Sequence, residues 1–309
     1  MAKKNLITLC IPTFNRSDSV SELLINITKQ RINDIANILV IDDGSHDGTF
    51  KNLESFDSHQ NIKVLANESN LGYARTFLRC FDECESEYLI MCTDDDAYSK
   101  EGVMEILDEI YSKKPDFIST SFISDDSARI HKKIKEIDFL DIWDSAKHSP
   151  GLVYKTSSIL FAKESMIGLL RQNNLAAFFF PQIILLVLMK SNNLRLLTSS
   201  VEIASKHPNG SYKTQLTDQS GNVYLSLANV IERHKSFSAF YKLLIEDPLY
   251  KSHHSSLKQL LKSHENSLFS NIEAGIALED SRLIKDFRRG GMLKLINLRL
   301  VSKLFSFFR

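Results

Sequence analysis

The chain has 309 residues, of which 43% are hydrophobic, so it can bury the core of one large domain or of a domain with an appendage. Lys plus Arg and Asp plus Glu number 38 each, so no overall basic field favours nucleic acid as a partner. Four cysteines beside apolar stretches, without CxxC spacing or a preceding secretion signal, favour buried thiols in the cytoplasm.

The first 125 residues alternate short apolar runs with amphipathic runs, which predicts strands alternating with helices. The predicted strands are 6–11, 38–41, 62–65, 88–92 and 117–123, and the predicted helices are 20–28, 50–56, 74–84 and 103–111. This alternation predicts a mostly parallel, Rossmann-like α/β sheet with helices on both faces. Ligands of such sheets bind at the carboxyl ends of the strands.

The pattern changes after residue 125. Residues 125–150 are charged and weakly periodic, which predicts a mobile loop over the site. A strand at 152–162, helices within 163–192 and a strand pair near 194–203 are expected next, and helices follow to the end of the chain. The apolar stretch 175–189 contains Pro181 and Gln182 and is shorter than the roughly 18 residues of a membrane span, so we expect a buried helix.

Three consecutive carboxylates, Asp94, Asp95 and Asp96, follow the fourth predicted strand. They repel one another unless a cation or hydrogen-bond donors offset their charge. Mg²⁺ or Mn²⁺ prefers oxygen ligands and could bridge this acidic loop to a diphosphate. A solvated acidic turn that caps the next helix is the alternative.

The segment VIDDGSHDGT follows the second strand. Gly44 and Gly48 allow a tight turn, and Asp47 and Thr49 can satisfy the free N–H groups of the following helix. The carboxylates before them, residues 42 and 43, have no evident local partner. Asp43 could therefore accept a hydrogen bond from a nucleotide base or a ribose hydroxyl.

The loop after the first strand contains Pro12, Thr13, Asn15 and Arg16. These residues offer exposed backbone groups and one cation, which suit a base edge or a phosphate. An ordinary turn between a strand and a helix is the alternative.

The loop after the third strand contains the segment NESNLGYART. Asn70 and Gly72 predict a tight entry into the next helix. Arg75 follows one turn later and could reach a phosphate at the helix start. A solvated arginine on the helix surface is the alternative.

The four motifs IPTFNR, VIDDGSHDGT, SNLGYAR and TDDD, in this order, resemble family-two glycosyltransferases of the GT-A fold. The resemblance covers about the first 125 residues. It implies a nucleotide-sugar donor and a divalent cation, Mn²⁺ or Mg²⁺. The resemblance implies that Pro12, Thr13, Asn15 and Asp43 contact the nucleoside. It implies that Asp94 and Asp96 bind the sugar diphosphate and the metal. Asp95 is expected beside the donor, as a bystander or a residue on the helix side.

The second half resembles bacterial transferases that build O-antigen and capsule repeats, among them abequosyltransferases, through SSILFAKESM, a Phe-Pro-Gln helix start and KHPNGSY. This resemblance implies a saccharide acceptor, either free or lipid-linked. It also implies His207 as a further metal ligand, with a surface histidine as the alternative. We therefore expect a transferase domain at 1–215, with donor and acceptor halves at 1–125 and 126–215, and a helical region at 216–309.

Inverting family members carry a carboxylate at the start of the acceptor-side helix, where it acts as the catalytic base. Gln182 stands at this position, and an amide cannot accept a proton at neutral pH. Asp144 is our candidate for the base, with Glu164 and His148 as alternatives. Each of them can instead be an ordinary polar surface group.

The C-terminal residues 282–309 contain eight Lys or Arg and one Asp. A helix over 291–309 would place Leu and Phe side chains on one face and basic side chains on the other. This composition suits an anionic membrane surface, such as the inner face of the bacterial cytoplasmic membrane. Docking on the chain's own domain or on a second subunit of a homo-oligomer is the alternative.

Two other functions compete with glycosyl transfer. A nucleotidyltransferase would also use a metal and a nucleotide, but it usually carries a Gly-rich basic loop that IPTFNRSD lacks. A non-catalytic subunit that binds a sugar nucleotide would explain the missing carboxylate at Gln182.

Overall fold

The computed structural model describes residues 6–123, 128–146, 148–172, 174, 177, 180–206 and 227–262. The chain divides into two compact units, Met1–Ser211 and Tyr212–Arg309. His207 and the C-terminal segment 291–309 lie outside the described residues. Among the residues described, no helix has the length and apolar character needed to cross a membrane.

The first unit alternates strands and helices along most of its length. Its strands are β1 Ile7–Thr13, β2 Asn37–Asp42, β3 Ile62–Ala66, β4 Tyr88–Met91, β5 Asp96–Tyr98, β6 Phe117–Ile123, β7 Ala128–Arg129, β8 Leu152–Lys155 and β9 Leu196–Lys206. Its helices are α1 Ser17–Lys29, α2 Thr49–Leu53, α3 Tyr73–Glu83, α4 Lys100–Lys113, α5 Ile142–Ala146, α6 Leu160–Arg171 and α7 Pro181–Ser191. The second unit contributes α8, Leu227–Glu246.

The strands form one mixed sheet in the order β3-β2-β1-β4-β8-β6-β9-β5, with β7 paired to β6. β1 is parallel to both β2 and β4, and β2 is parallel to β3, as the alternation of strand and helix requires. β8 is antiparallel to β4 and β6, so the parallel prediction holds for the first half and not for the whole sheet.

Helices cover both faces of this sheet. On one face Leu24 of α1 and Ile106 of α4 belong to the same core as Leu9 and Ile11 of β1. On the other face the ring of Phe81 in α3 packs edge-on against Tyr154 of β8, with centroids 5.2 Å apart. Both faces are therefore buried, which explains why β1, β2 and β4 are continuous apolar runs.

Two predicted elements of the second half are wrong. The strand expected over 152–162 ends at Lys155, where the Thr156 hydroxyl donates to the carbonyl of Glu87, and helix α6 begins at Leu160. A single strand, β9, replaces the strand pair near 194–203, and its pairing with β6 shifts register between Ser119 and Ser121. A bulge interrupts the regular alternation of side chains along one strand. In the sequence, such an interruption looks like a turn between two strands.

The described part of the predicted mobile loop is anchored instead of mobile. Arg129 is 2% exposed, and its guanidinium donates to the carbonyls of Thr120, His148 and Pro150. Burial lowers the pKa of this guanidinium to about 9. The charged composition was misleading because one arginine can satisfy several backbone carbonyls inside a protein.

Candidate active site

The loops that follow β1, β2 and β4 meet at one edge of the sheet. Thr13, the last residue of β1, lies opposite Asp42 of β2, and its carbonyl accepts a hydrogen bond from the Asp43 N–H at 2.8 Å. On the other side Cys92, just after β4, donates its N–H to the carbonyl of Cys10 at 2.8 Å. The first loop therefore lies between the other two.

The acidic loop contacts the first loop through Asp94 and Asp95. The Thr13 hydroxyl donates to Asp94 Oδ2 at 2.7 Å. Arg16 Nη1 lies 2.9 Å from Asp95 Oδ2 and 3.6 Å from Asp94 Oδ1. Thr13, Arg16, Asp94 and Asp95 thus form one cluster, which we call the acidic cluster.

Asp96 has a different environment. It is the first residue of strand β5 and pairs with Lys206 of β9, and its carboxylate accepts a hydrogen bond from the Thr93 hydroxyl. Helix α4 is capped by Ser99, whose hydroxyl oxygen accepts from the Gly102 N–H at 3.0 Å. The alternative in which the acidic loop caps this helix is therefore wrong.

Asp95 makes the shorter of the two contacts with Arg16, and its role beside the donor, as a bystander or otherwise, stays a prediction. The sequence grouped Asp94 with Asp96, whereas the structure groups Asp94 with Asp95 around one guanidinium. The assignment of individual carboxylates to a metal stays a prediction.

Burial raises the pKa of Asp94 to about 6, and the charge of Asp95 adds to this rise. The Arg16 guanidinium and the Thr13 hydroxyl act in the opposite direction, but burial has the larger effect. Asp94 therefore takes up a proton as the pH falls through about 6.

The affinity of Asp94 for a metal ion should consequently depend on pH. Above pH 6 the carboxylate is ionised and can bind a cation, whereas protonation below pH 6 competes and weakens binding by up to about tenfold per pH unit. We expect the stabilisation of the protein by Mn²⁺ with a nucleoside diphosphate to decline between pH 7 and pH 5 in thermal unfolding. An undiminished shift at pH 5 would contradict a metal role for Asp94.

The oxygen-rich cluster fits Mg²⁺ or Mn²⁺ in its chemistry. Among the described residues, no group of three or more His, Cys, Asp or Glu side chains is placed to hold a metal ion. Mg²⁺, however, is usually bound by one or two carboxylates together with substrate phosphates and water. Asp94 and Asp95 would provide such carboxylates, and phosphate oxygens would complete the coordination.

Asp42 and Asp43 both have local partners, so the expectation that they have none is wrong. Asp42 accepts hydrogen bonds from the backbone N–H and the hydroxyl of Ser45. Asp43 is 4% exposed and accepts from Asn67 Nδ2 at 2.6 Å and from the N–H groups of Leu71 and Gly72 at 2.9 Å each. Asp43 therefore holds the loop before α3, and contact with a nucleoside stays a prediction.

Asn15 connects the first two loops. Its N–H donates to Ser45 Oγ at 2.8 Å, and its side-chain oxygen accepts from the His46 N–H at 3.0 Å. Its φ of 51° lies in the left-handed region, where Asn is tolerated better than most residues. Pro12 is half-buried in β1.

The third loop holds the other predicted donor residues. Asn70 is exposed, and its side-chain oxygen accepts from the Gly72 N–H at 2.8 Å, which confirms the tight helix entry. Arg75 is exposed on α3 and donates to the Leu71 carbonyl at 3.2 Å. Gly44 packs directly against this loop at a φ of 72°, and an added Cβ there would lie 2.5 Å from the Ser69 carbonyl carbon.

Sequence reasoning missed two residues of this network. Asn67 donates to both Asp43 and the Thr76 hydroxyl, and Arg79 donates to the carbonyl of Ala66 at 2.8 Å. The available signal for Asn67 was its position, because it is a polar residue directly after strand β3. Arg79 resembles any partly exposed helix residue, so the sequence offered no comparable signal.

On the acceptor half, Asp144 is exposed on the short helix α5, which packs against α7. Gln182 lies in the first turn of α7 and is 3% exposed. Its side-chain oxygen is buried and has no hydrogen-bond partner among the described residues. Tyr73, at the start of α3, donates to Ser149 Oγ at 3.0 Å and so connects the two halves of the sheet edge.

Comparisons with known proteins agree with this architecture. A sequence profile of Glycosyl transferase family 2 matches residues 8–173, more than half of the chain. Abequosyltransferase RfbV of Salmonella typhimurium is 33% identical over 101 residues, which are 32% of this chain and 30% of RfbV. The match thus spans less than a third of the length of that relative.

Solved structures show the same fold at low identity. Staphylococcus aureus TarS 1–349 in complex with UDP-GlcNAc aligns with a TM-score of 0.61 at 18% identity, over 89% of this chain and 76% of that one. The mannosyltransferase PcManGT of Pyrobaculum calidifontis, in complex with GDP-Man and Mn²⁺, aligns with a TM-score of 0.51 at 14% identity, over 96% and 82% of the two chains. The expected GT-A fold is confirmed, and the chain belongs to Glycosyl transferase family 2, a family of enzymes that transfer sugars.

Proposed function

We propose that this glycosyltransferase moves a sugar from a nucleoside-diphosphate sugar to a saccharide acceptor, with inversion at the anomeric carbon and with Mn²⁺ or Mg²⁺. The single observation that carries the donor assignment is the acidic cluster, where buried carboxylates lie at the carboxyl ends of β1 and β4. Open α/β sheets bind their ligands at this edge. The relatives that were solved with UDP-GlcNAc and with GDP-Man and Mn²⁺ support the same class of donor.

The described residues would divide the work of donor binding between them. Pro12, Thr13, Asn15 and Asp43 border the place proposed for the nucleoside, where Asp43 also keeps the 67–72 loop in position. Asp94 and Asp95 would hold the cation beside the diphosphate. When bound, the cation stabilises the negative charge that develops on the departing nucleoside diphosphate. Asn70, Arg75, Asp96 and His207 are further candidates for the donor or the metal.

The acceptor is proposed to be a saccharide, free or lipid-linked, of a bacterial surface polysaccharide. The similarity to RfbV, a bacterial abequosyltransferase by name, supports sugar transfer in a bacterium. A lipid-linked acceptor would place the enzyme in the cytoplasm, at the inner face of the membrane. The basic segment 291–309 could bind anionic lipid there, or a second subunit instead.

Truncation before residue 291 tests the membrane proposal. We expect the full chain to float with vesicles that contain anionic phosphatidylglycerol and the truncated chain to stay at the bottom of the gradient, because truncation removes the apolar side chains of 291–309 and four of the eight basic residues of 282–309. The same chains with neutral vesicles are the control. Equal flotation of both chains would refute a membrane role for this segment.

Asp144→Asn tests the candidate base. The amide cannot accept the proton of the acceptor hydroxyl, so we expect kcat to fall by about 10²-fold to 10⁴-fold while the affinity for the donor is unchanged. Asp108→Asn, which changes an exposed carboxylate on helix α4, is the matched control. Normal turnover by Asp144→Asn would exclude Asp144 as the base.

A panel of UDP-, GDP-, CDP- and dTDP-sugars tests the proposed function itself. With Mn²⁺ and no acceptor, we expect slow release of free sugar and nucleoside diphosphate from one class of donor. Thermal unfolding with each nucleoside diphosphate, with and without Mn²⁺, identifies which nucleobase the site accepts, because a specific ligand stabilises the folded chain by mass action. Stabilisation by a nucleotide without hydrolysis of any donor would favour the non-catalytic scaffold subunit. The absence of both hydrolysis and stabilisation would overturn the proposal.

A further inference from the structure

Arg16 lies where a cation of the acidic loop would be expected. Its backbone occupies the N-cap position of helix α1, and its N–H donates to Thr49 Oγ1 at 3.2 Å. From this anchored position the side chain reaches Asp95 at 2.9 Å and Asp94 at 3.6 Å. The guanidinium thus supplies a positive charge from the chain itself to these two carboxylates.

The contact is shielded from water. The exposed fraction of the Arg16 side chain is 26%, against 12% for Asp94 and 7% for Asp95. Ion pairs that are shielded in this way interact more strongly than surface pairs, since solvent screens them less. A divalent cation that enters the same place must compete with the guanidinium for carboxylate oxygens and is repelled by its charge.

We propose that Arg16 is an internal counter-cation that weakens the binding of free divalent cations and makes cation binding depend on the diphosphate. This inference rests on the proposed function, because it assumes that the acidic cluster holds a metal and a diphosphate. The diphosphate brings negative charge that the guanidinium can bind through its five N–H donors. Arg16 then releases carboxylate oxygens to the cation.

The proposal states in which direction the affinity for a free cation changes when Arg16 is removed. Without a diphosphate, the Arg16 guanidinium offsets negative charge of Asp94 and Asp95. Without Arg16, that charge is left to attract an entering cation. Removal of the guanidinium should therefore raise the affinity for the free cation. It should also remove part of the gain in affinity that the diphosphate gives to the native chain.

The test measures Mn²⁺ binding to the full chain without donor, by the loss of the free Mn²⁺ signal in electron paramagnetic resonance. We expect Arg16→Gln to bind Mn²⁺ at least about tenfold more tightly than the native chain, and Arg16→Lys to stay close to the native chain because it keeps the charge. Arg31→Gln is the matched control, since Arg31 pairs with Asp34 and its side chain is 74% exposed. Far-ultraviolet circular dichroism confirms that each variant is folded.

A second titration measures UDP and GDP affinity with and without Mn²⁺. We expect Mn²⁺ to increase the affinity for the preferred nucleotide more strongly in the native chain than in Arg16→Gln. Equal Mn²⁺ affinity of the native chain and Arg16→Gln, or no Mn²⁺ binding by either, would overturn the role of Arg16. A different result would refute the proposed function, namely that no nucleotide sugar of the panel is turned over.

Discussion

Asp94→Asn is expected to lower kcat/KM for the donor by about 10²-fold to 10³-fold, the effect of removing one charge-stabilising group from a site of this kind. Asn keeps the size of the side chain, and its oxygen can still accept from the Thr13 hydroxyl that Asp94 binds at 2.7 Å. What the substitution removes is the negative charge beside the proposed cation. Steady-state kinetics with the donor identified in the panel measure this loss.

The same substitution should not unfold the protein. Burial raises the pKa of Asp94 from its ordinary value of 3.8 to about 6, so the ionised carboxylate opposes folding fully above pH 6. This cost declines as the pH falls from about 6 to the ordinary value and is lost below it. The neutral amide avoids the cost, and the free energy of unfolding at pH 7.5 should stay equal or rise by up to about 3 kcal/mol.

Two measurements therefore separate a catalytic loss from a structural one. Asp34→Asn, at an exposed ion pair with Arg31, is the control that changes the same charge outside the acidic cluster. Native kcat/KM in Asp94→Asn would contradict a role in donor binding. A large loss of stability would show that Asp94 is instead required by the fold.

Asp43→Ala is expected to have the largest effect on stability, about 3 to 5 kcal/mol. The carboxylate is 4% exposed and accepts three hydrogen bonds, from Asn67 Nδ2 and from the N–H groups of Leu71 and Gly72. Alanine leaves the Leu71 N–H without an acceptor, whereas the Gly72 N–H keeps Asn70 Oδ1 and the Asn67 amide keeps the Thr76 hydroxyl. The unsatisfied group costs about 1 to 3 kcal/mol, and each lost hydrogen bond to a charged acceptor costs about 1.5 to 3 kcal/mol. Urea unfolding followed by circular dichroism measures the difference.

Asp47→Ala is the matched control for Asp43→Ala. Asp47 is exposed and accepts from the Thr49 N–H at 2.9 Å at the start of α2, so its loss should cost only about 1 kcal/mol, as for other side chains that satisfy a helix N–H. A cost below 1 kcal/mol for Asp43→Ala would contradict its role in the 67–72 loop. If the folded fraction also loses donor affinity, Asp43 supports the nucleoside through that loop or by direct contact.

The first half of the fold was predictable because local signals decide it. β1, β2 and β4 are apolar runs buried on both faces, and each is followed by polar residues at the same edge of the sheet. The motifs that contain Pro12, Asp43 and Asp94 were found for this reason. The tight turn at Gly72 and the cap by Asp47 were likewise predictable, since turn and cap residues act over a few positions.

Contacts between distant positions were not predictable. Asp43 and Gly72 are 29 positions apart, and Arg16 and Asp95 are 79 apart, so neither pair leaves a local pattern. Arg129 shows the same limit. Its guanidinium is buried and donates to backbone carbonyls, but the charged sequence around it looks like that of a solvated loop. The misassigned strand at 152–162 has another cause, since a short apolar run fits a strand and a buried helix equally well.

Anomalous scattering from Mn²⁺ in crystals grown with a nucleoside diphosphate tests whether the acidic cluster holds the metal and the donor. We expect an anomalous peak within coordinating distance, about 2 to 2.3 Å, of a carboxylate oxygen of Asp94 or Asp95, with the diphosphate bound to the same ion. A bound nucleotide with its manganese away from both carboxylates would refute this site, as would a nucleotide bound at another edge of the sheet.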